Sequence, residues 1–451
     1  RSTIRPRPFE PSSFRSRPID VMIRSPRLLS APSSCRGLLL LSLALVQGPL
    51  LPAGAQAAPR AEPQSAAAEK PASAPQDADL PAWRRRLLEV ANRAASSVPE
   101  KPHHKTRGKL QDLVVMACFD LDQPALALDY ARGINDWRRG CGLAEYARYC
   151  AANGHPEPIE SSLSQAEEIA RALNEAGDQA WRRDRILVKV ATCRIEMGFP
   201  LEAREIEANV EASEAVPLFL AKARLLPASE LDAWLAEARL TATAGGFEGR
   251  QSVVQAGGEL LRRFYGDEAK RAALEDVVRL ATRQMPLPVL VDGLLAFSAA
   301  ARQAHDAEGA SRYAAEAVDA CLLATVTADL KGPSLGRAIE AQALAGQVEA
   351  AREALEAGIG IYEKERDQLM GIDRADALRG LAQACARLGD TAQATLLYWR
   401  VIEEGAENPN ARPRSEDLVE TLLSMAQVGF EPEPKLFERI ESIAKGLRDP
   451  W

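Results

Sequence analysis

ADALRGLAQACARLGDTAQATLLYWRVIEEG, Ala375 to Gly405, is the stretch whose reading decides the fold. Leu378, Leu381, Ala382 and Cys385 recur at helical spacing before Gly389, and Ala394, Leu397, Tyr398 and Val401 recur after it. Gly389 tolerates positive φ and so ends the first helix, while Asp390 supplies an acceptor to cap the second. The stretch therefore reads as two amphipathic helices around a Leu-Gly-Asp turn. Neither apolar stripe is wide enough to hold a lone hairpin together, so the unit must stack on copies of itself.

The rest of the chain supplies the copies. Aligned on the turn inside each hairpin, they centre near Asp122, Gly154, Gly198, Pro227, Gly266, His305, Gly346, Gly389 and Gly429. A spacing of about 38 residues is that of stacked helical hairpins. WRRGCGLAEYARYCAANG (Trp137–Gly154) and WRRDRILVKVATCRIEMG (Trp181–Gly198) match without gaps at Trp, Arg, Arg, Leu, Ala and Gly. Five residues after several turns stands a small side chain: Ala127, Ala203, Ala310, Ala351 and Ala394. There it lets the two helices of a hairpin approach closely, and a bulky replacement costs roughly 1–3 kcal/mol in overpacking.

These features resemble the tetratricopeptide repeat and its looser bacterial relatives. The unit at Gly389 fits that family's pattern at Leu381, Ala382, Gly389, Ala394 and Tyr398, and the unit at Gly198 at Val190, Ala191, Gly198 and Ala203. The likeness covers residues 107–430 and thins between 214 and 290, where turns are placed by spacing more than by motif. The fold expected over 81–451 is all-α, a right-handed superhelix of about nine helical hairpins. Residues 82–98 are expected to cap its beginning, and residues 433–448, with Leu436, Phe437, Ile440 and Ile443 as the last apolar stripe, its end.

Composition agrees. Aromatics are 5% of the chain, and Ala, Leu, Glu and Arg dominate it, which favours helix over sheet. The net charge is −7, and the first 57 residues carry eight Arg against Glu10 and Asp20 alone, so the remainder is more acidic than the whole. An acidic body lacks the electrostatic footprint of a nucleic-acid partner.

Residues 1–21, rich in Arg, Pro and Ser, read as a disordered or non-native lead. Residues 22–57 read as an export signal: Arg24, Arg27 and Arg36 precede the apolar run Gly37–Leu51, and Ala55-Gln56-Ala57 offers small residues for cleavage. Gln47, Gly48 and Pro49 interrupt the run well short of the ~20 residues that span a bilayer, so no stable membrane span is expected after cleavage. Residues 58–80 form an Ala/Pro-rich linker. The expected location is periplasmic or secreted.

No reactive constellation emerges. Cys118, Cys150, Cys193 and Cys385 sit four or five residues before their turns, in one structural slot, and neighbouring equivalent helices lie ~8–10 Å apart, too far for a bridge. Unpaired packing cysteine is the expectation. His103, His104, His155 and His305 make no metal-binding spacing, and neither a metal nor a cofactor is expected. Gly245-Gly246 and Gly257-Gly258 follow no strand and read as a turn and a helix irregularity. The Trp-Arg-Arg repeats admit a carbohydrate-stacking or anion-binding reading. Their shared register favours a structural one, with indoles between repeats and arginines paired to acids.

The function expected is that of a non-catalytic scaffold of the cell envelope holding a protein or peptide partner. The alternative is an envelope polysaccharide lyase or glycosidase on an α/α superhelix or toroid, which would need two carboxylates across a cavity. The resemblance implies that a ligand lies along the concave face of the first helices. Carried onto this chain, the family's positions name Arg148, Arg185, Arg302, Arg379, Gln383 and Arg387, among small neighbours such as Ala144, Ala151, Ala343 and Ala386. Arginines among small side chains would suit an acidic peptide or a C-terminal carboxylate. The competing reading is that they form ordinary salt bridges.

Overall fold

The computed structural model describes residues 75–175, 180–211 and 214–447, all within one compact unit. The lead, the export signal and most of the linker lie outside the described residues, as does Cys35. Within them the chain is all-α, with no strand. In order it forms α1 (Ala82–Ser97), α2 (Glu100–Asp120), α3 (Pro124–Arg132), α4 (Arg138–Ala152) and α5 (Ile159–Glu175). There follow α6 (Ala180–Glu196), α7 (Pro200–Glu207), α8 (Val216–Leu225), α9 (Leu231–Ala244) and α10 (Phe247–Phe264). Next come α11 (Glu268–Thr282), α12 (Leu287–Gln303), α13 (Ala307–Leu323), α14 (Ala328–Leu344) and α15 (Val348–Glu365). The last are α16 (Arg374–Arg387), α17 (Thr391–Ala406), α18 (Ala411–Val428) and α19 (Pro434–Lys445).

The turns fall where the sequence places them, and for a conformational reason. Asp122, Gly154, Gly198, His305, Gly346, Gly389 and Gly429 all have positive φ, the left-handed step that reverses the chain between paired helices. Asp390, Asp306 and Asp267 each accept a backbone N–H at the start of the following helix. The five alanines placed five residues past a turn are all buried.

Each even-numbered helix packs on the next even-numbered one, from α2 through α18, forming an inner series backed by the odd-numbered helices. The two ends were expected to be separate caps. Instead α18 packs on α2 as well as on α16, and α1 packs on both α18 and α2, so the order of contacts is cyclic. The physical reason is that the apolar stripes of α1 and α18 bury against each other, while their exposed sides stay charged. Leu87, Leu88, Ala91 and Ala95 of α1 share one buried core with Leu422, Met425 and Ala426 of α18. Arg84 donates to the carbonyls of Ala426 and Gln427, and Gln427 donates to Asp120 on α2. The last linker residues are also engaged. The Asp77 carboxylate accepts the N–H groups of Ala125 and Leu126 at the start of α3, and Ala78 donates to Asp122.

Where two inner helices come closest the side chains are missing. A Cβ on Gly332, Gly336 or Gly380 would sit closer than 3.0 Å to backbone of the facing helix, so α14 and α16 touch main chain to main chain. The glycine pair Gly257-Gly258 makes room inside α10 for side chains instead, the Val278 and Ala296 methyls. All six described cysteines are buried and unbridged, and burial pushes Cys118, Cys141, Cys321 and Cys385 up to about 12. They are inert packing groups, including Cys141 and Cys321 outside the shared slot.

Gly336→Ala is expected to lower the melting temperature although alanine is the better helix former, because its methyl has only the Gly380 carbonyl to move into. Gly360→Ala, in α15 with nothing within 4 Å, is expected to raise stability by about 0.5–1 kcal/mol. Thermal unfolding followed by circular dichroism separates the two. Equal effects would mean that the α14–α16 approach is not tight.

Candidate functional site

The inner faces of α2, α4, α6, α8 and α10 enclose a cavity of about 650 Å³. Its wall holds six cationic side chains, Lys109, Arg138, Arg148, Arg185, Lys189 and Arg224, against three carboxylates, Asp112, Glu145 and Glu214. Trp137, Cys141, Thr192, Gln251 and Gln255 complete the polar and aromatic lining.

Much of this charge is already committed to the protein. Lys189 donates to Glu145 at 2.5 Å, Glu145 pairs with Arg148 at 3.3 Å, and Arg148 grips Glu196 at 2.6 and 3.2 Å. Glu196 also takes Arg224 at 2.6 Å, and Arg224 reaches Glu259 at 3.1 Å. Alternating charges thus run from α4 through α6 and α8 to α10 and tie four inner helices side by side. Burial works against the Glu145 anion, but Lys189 and Arg148 outweigh it and hold its carboxyl below the usual range.

The other end of the cavity is less occupied. Trp137 is buried edge-to-face against Trp181 at 5.3 Å. The Arg138 guanidinium lies over the Trp137 ring at 4.5 Å, and Arg185 lies 4.8 Å from Trp181 and 6.0 Å from Trp137. This is the indole-between-repeats arrangement expected of the Trp-Arg-Arg motif. Arg138 uses Nη1 on Asp136 at 2.6 Å, and Arg185 uses Nε on Glu214 at 2.8 Å. The remaining guanidinium donors of both make no hydrogen bond among the described residues. Among the described residues Lys109 meets Glu420 alone, loosely, at 3.7 Å.

The six residues named from the sequence all lie on inner helices, yet only Arg148 and Arg185 line this cavity. Arg379 is engaged by Asp376, Glu420 and Asp417 between α16 and α18. Gln383 accepts from Ser424, and Arg387 pairs with Glu340 and donates to the Gln427 carbonyl. Arg302 is exposed at the end of α12 and forms no ion pair among the described residues. The ordinary salt-bridge reading therefore describes Arg148, Arg185, Arg379 and Arg387, although Arg185, bonded to Glu214 through Nε alone, keeps donors to spare.

Sequence reasoning passed over Asp112, Glu145, Lys189 and Arg224. One signal was present: Glu145 and Lys189 stand nine residues before Gly154 and Gly198, opposite charges at one register in successive units. Among the described residues no group of His, Cys, Asp and Glu is arranged to hold a metal ion, and no helix is long and apolar enough to cross a membrane.

Comparison with protein-family models and with curated proteins finds no match. Among solved structures the chain is similar to one described as a "Circular tandem repeat protein with novel repeat topology and enhanced subunit contact surfaces". The identity is 15% and the TM-score 0.24, over 81% of this chain and 94% of that one.

Glu196→Gln should leave Arg148 and Arg224 facing each other without their shared anion. Solvent reaches these groups, so the expected loss is about 1–2 kcal/mol, below the 3–5 kcal/mol of a fully buried pair. Chemical denaturation at low and high salt measures it, and the loss should shrink as salt rises. An unchanged midpoint would show the chain of ion pairs to be idle.

Proposed function

We propose that this protein is a non-catalytic binding array of the cell envelope, which holds an acidic peptide or a carboxylate of a protein partner in the cavity of α2 to α10. One observation carries the reading. Arg138 and Arg185 lie against the indoles of Trp137 and Trp181 and keep unused guanidinium donors, with Lys109 on the same wall. A stacked guanidinium has lost much of its freedom already, so little more is lost when a carboxylate docks on its free edge. A volume of about 650 Å³ suits a short peptide end rather than a whole domain.

Finer features belong to the same reading. The repeat is taken as a relative of the tetratricopeptide repeat, with nine helix pairs in a cycle in place of an open superhelix. Export rests on the signal from Met22 to Ala57.

Titrating a tetra-aspartate peptide into the full chain tests the proposal. Arg138→Ala with Arg185→Ala should weaken binding about 10- to 100-fold, while Arg302→Ala, outside the cavity, should leave it unchanged. Equal loss from both would show nonspecific charge attraction.

A second reading, an envelope polysaccharide lyase or glycosidase, is favoured by Asp112 and Glu145. They line one cavity with carboxyls displaced in opposite directions, the pattern that separates an acid from a base. Turnover of envelope glycans that Asp112→Asn abolishes would establish it in place of the binding-only reading. Its absence across a broad panel would leave the array a binder.

A further inference from the structure

The cavity holds one carboxylate whose position the chain of ion pairs does not explain. Asp112 projects from α2, half-buried, and its carboxyl forms no hydrogen bond or ion pair among the described residues. The two cations acting on it each hold another carboxylate and, among the described residues, donate no hydrogen bond to Asp112. Lys189 of α6 donates to Glu145, and Arg138 of α4 donates to Asp136. Glu145 and Asp136 each bond a cation directly, and Asp112 is the carboxylate left without one.

We infer that Asp112 makes ligand capture proton-coupled: an anion entering the cavity is bound together with a proton on the Asp112 carboxyl, which then donates a hydrogen bond to it. The inference rests on the carboxylate-binding reading above. It follows from charge and space. Asp112 lines the same cavity as Arg138, Arg185 and Lys109 and lies within the influence of Arg138, so a carboxylate docked on Arg138 lies near it, and two anions in one half-buried site repel unless one takes a proton. Neutral Asp112 removes the repulsion and adds an O–H donor.

The other groups around Asp112 leave that role to it. From α4, Glu145 is held ionised by Lys189 and Arg148, and the Cys141 thiol is pushed up to about 12 by burial. Asp136, between α3 and α4, is tied to Arg138. From α18, Glu420 binds Arg379 and Lys109, and Asp417 lies against Arg379. On α1, Arg84, Arg86 and Arg93 engage α18 and α19, and Arg85 pairs with Glu89. Tyr130 of α3 is pushed up to about 12 by burial and stays neutral. No histidine lines the cavity. Burial is the main influence on Asp112 and raises its carboxyl, Lys189 and Arg138 pull it down, and Glu145 and Asp136 push it back up. Its carboxyl is therefore raised from its ordinary value, burial being the largest cause. The sign follows: binding is strongest at low pH and weakens as pH rises through its titration.

Isothermal titration calorimetry of the full chain with tetra-aspartate, whose side chains are ionised throughout, tests this at about pH 5.5 and pH 8. In wild type, affinity at the lower pH should be about tenfold higher, with uptake of up to about one proton per ligand, read from buffers of different ionisation enthalpy. Asp112→Asn, which presents an amide donor at every pH, should bind at pH 8 as wild type binds at pH 5.5, and its pH dependence should vanish. Wild-type affinity equal at both pH values, no proton uptake, or an unchanged pH slope in a helical Asp112→Asn would overturn the proton coupling while leaving the carboxylate reading intact. Absence of binding at either pH would overturn both. The uptake measurement uses wild type alone and so stands even if the variant misfolds.

Discussion

An apolar helix face must be covered on both sides, and in a stack of hairpins that requirement falls hardest on the two ends. Here the ends cover each other. The inner helix α18 finds its second neighbour in α2, and α1 packs over both, with Arg84 reaching two carbonyls near the end of α18. Everything else in the described residues depends on that arrangement. Once the series is cyclic, every inner helix has two inner neighbours, and the spacing between them must suit all pairs together. The missing side chains at Gly332, Gly336 and Gly380 set the tightest of these spacings.

The same constraint explains the charge on the inner wall. Side chains that project from the inner helices meet those of the helices beside them, where water reaches only part of the surface. Charges so placed are favourable only in pairs. Lys189, Glu145, Arg148, Glu196, Arg224 and Glu259 meet the condition by alternating. Alternation stops at Asp112, Arg138 and Arg185, which line the cavity alongside the paired charges. A wall neutral by pairing across most of its length, with spare donors at one end, carries a direction that net charge does not record.

Local features were legible in the sequence and long-range ones were not. A turn is fixed by the few residues that make it, so Gly154, Gly198, Gly346, Gly389 and Gly429 announce their left-handed conformation from spacing alone, and His305 and Asp122 follow from the period. The slot shared by Cys118, Cys150, Cys193 and Cys385 was readable for the same reason, because register along one helix dictates burial. Contact between α1 and α18 spans more than three hundred residues, and no local pattern encodes it. The role of Asp77 escaped because an Ala/Pro-rich linker gives no periodic signal, although one aspartate suffices to cap α3. Arginine identity was legible and arginine availability was not. Arg148, Arg185 and Arg379 look alike in sequence, and only the number of acids brought near each separates the fully engaged Arg148 and Arg379 from Arg185, which meets Glu214 alone among the described residues.

Two carboxyl groups raised by burial show how a functional candidate differs from a structural one. Asp417, on α18, is buried against Gly405 with Oδ2 unpartnered, and Arg379, 3.5 Å from its other oxygen, is shared with Asp376 and Glu420. Burial pushes its carboxyl up to about 8, so the folded chain holds that proton at neutral pH. Its contribution to stability is full below the ordinary carboxylate range and is lost as pH rises through about 8. The space beside it is about 10 Å³, too small for any ligand, so its proton can answer only to folding. Asp112 is raised by the same cause but faces a cavity of about 650 Å³ lined by spare donors, so its proton can answer to an incoming anion. A displaced carboxyl alone marks neither role; the room in front of it does.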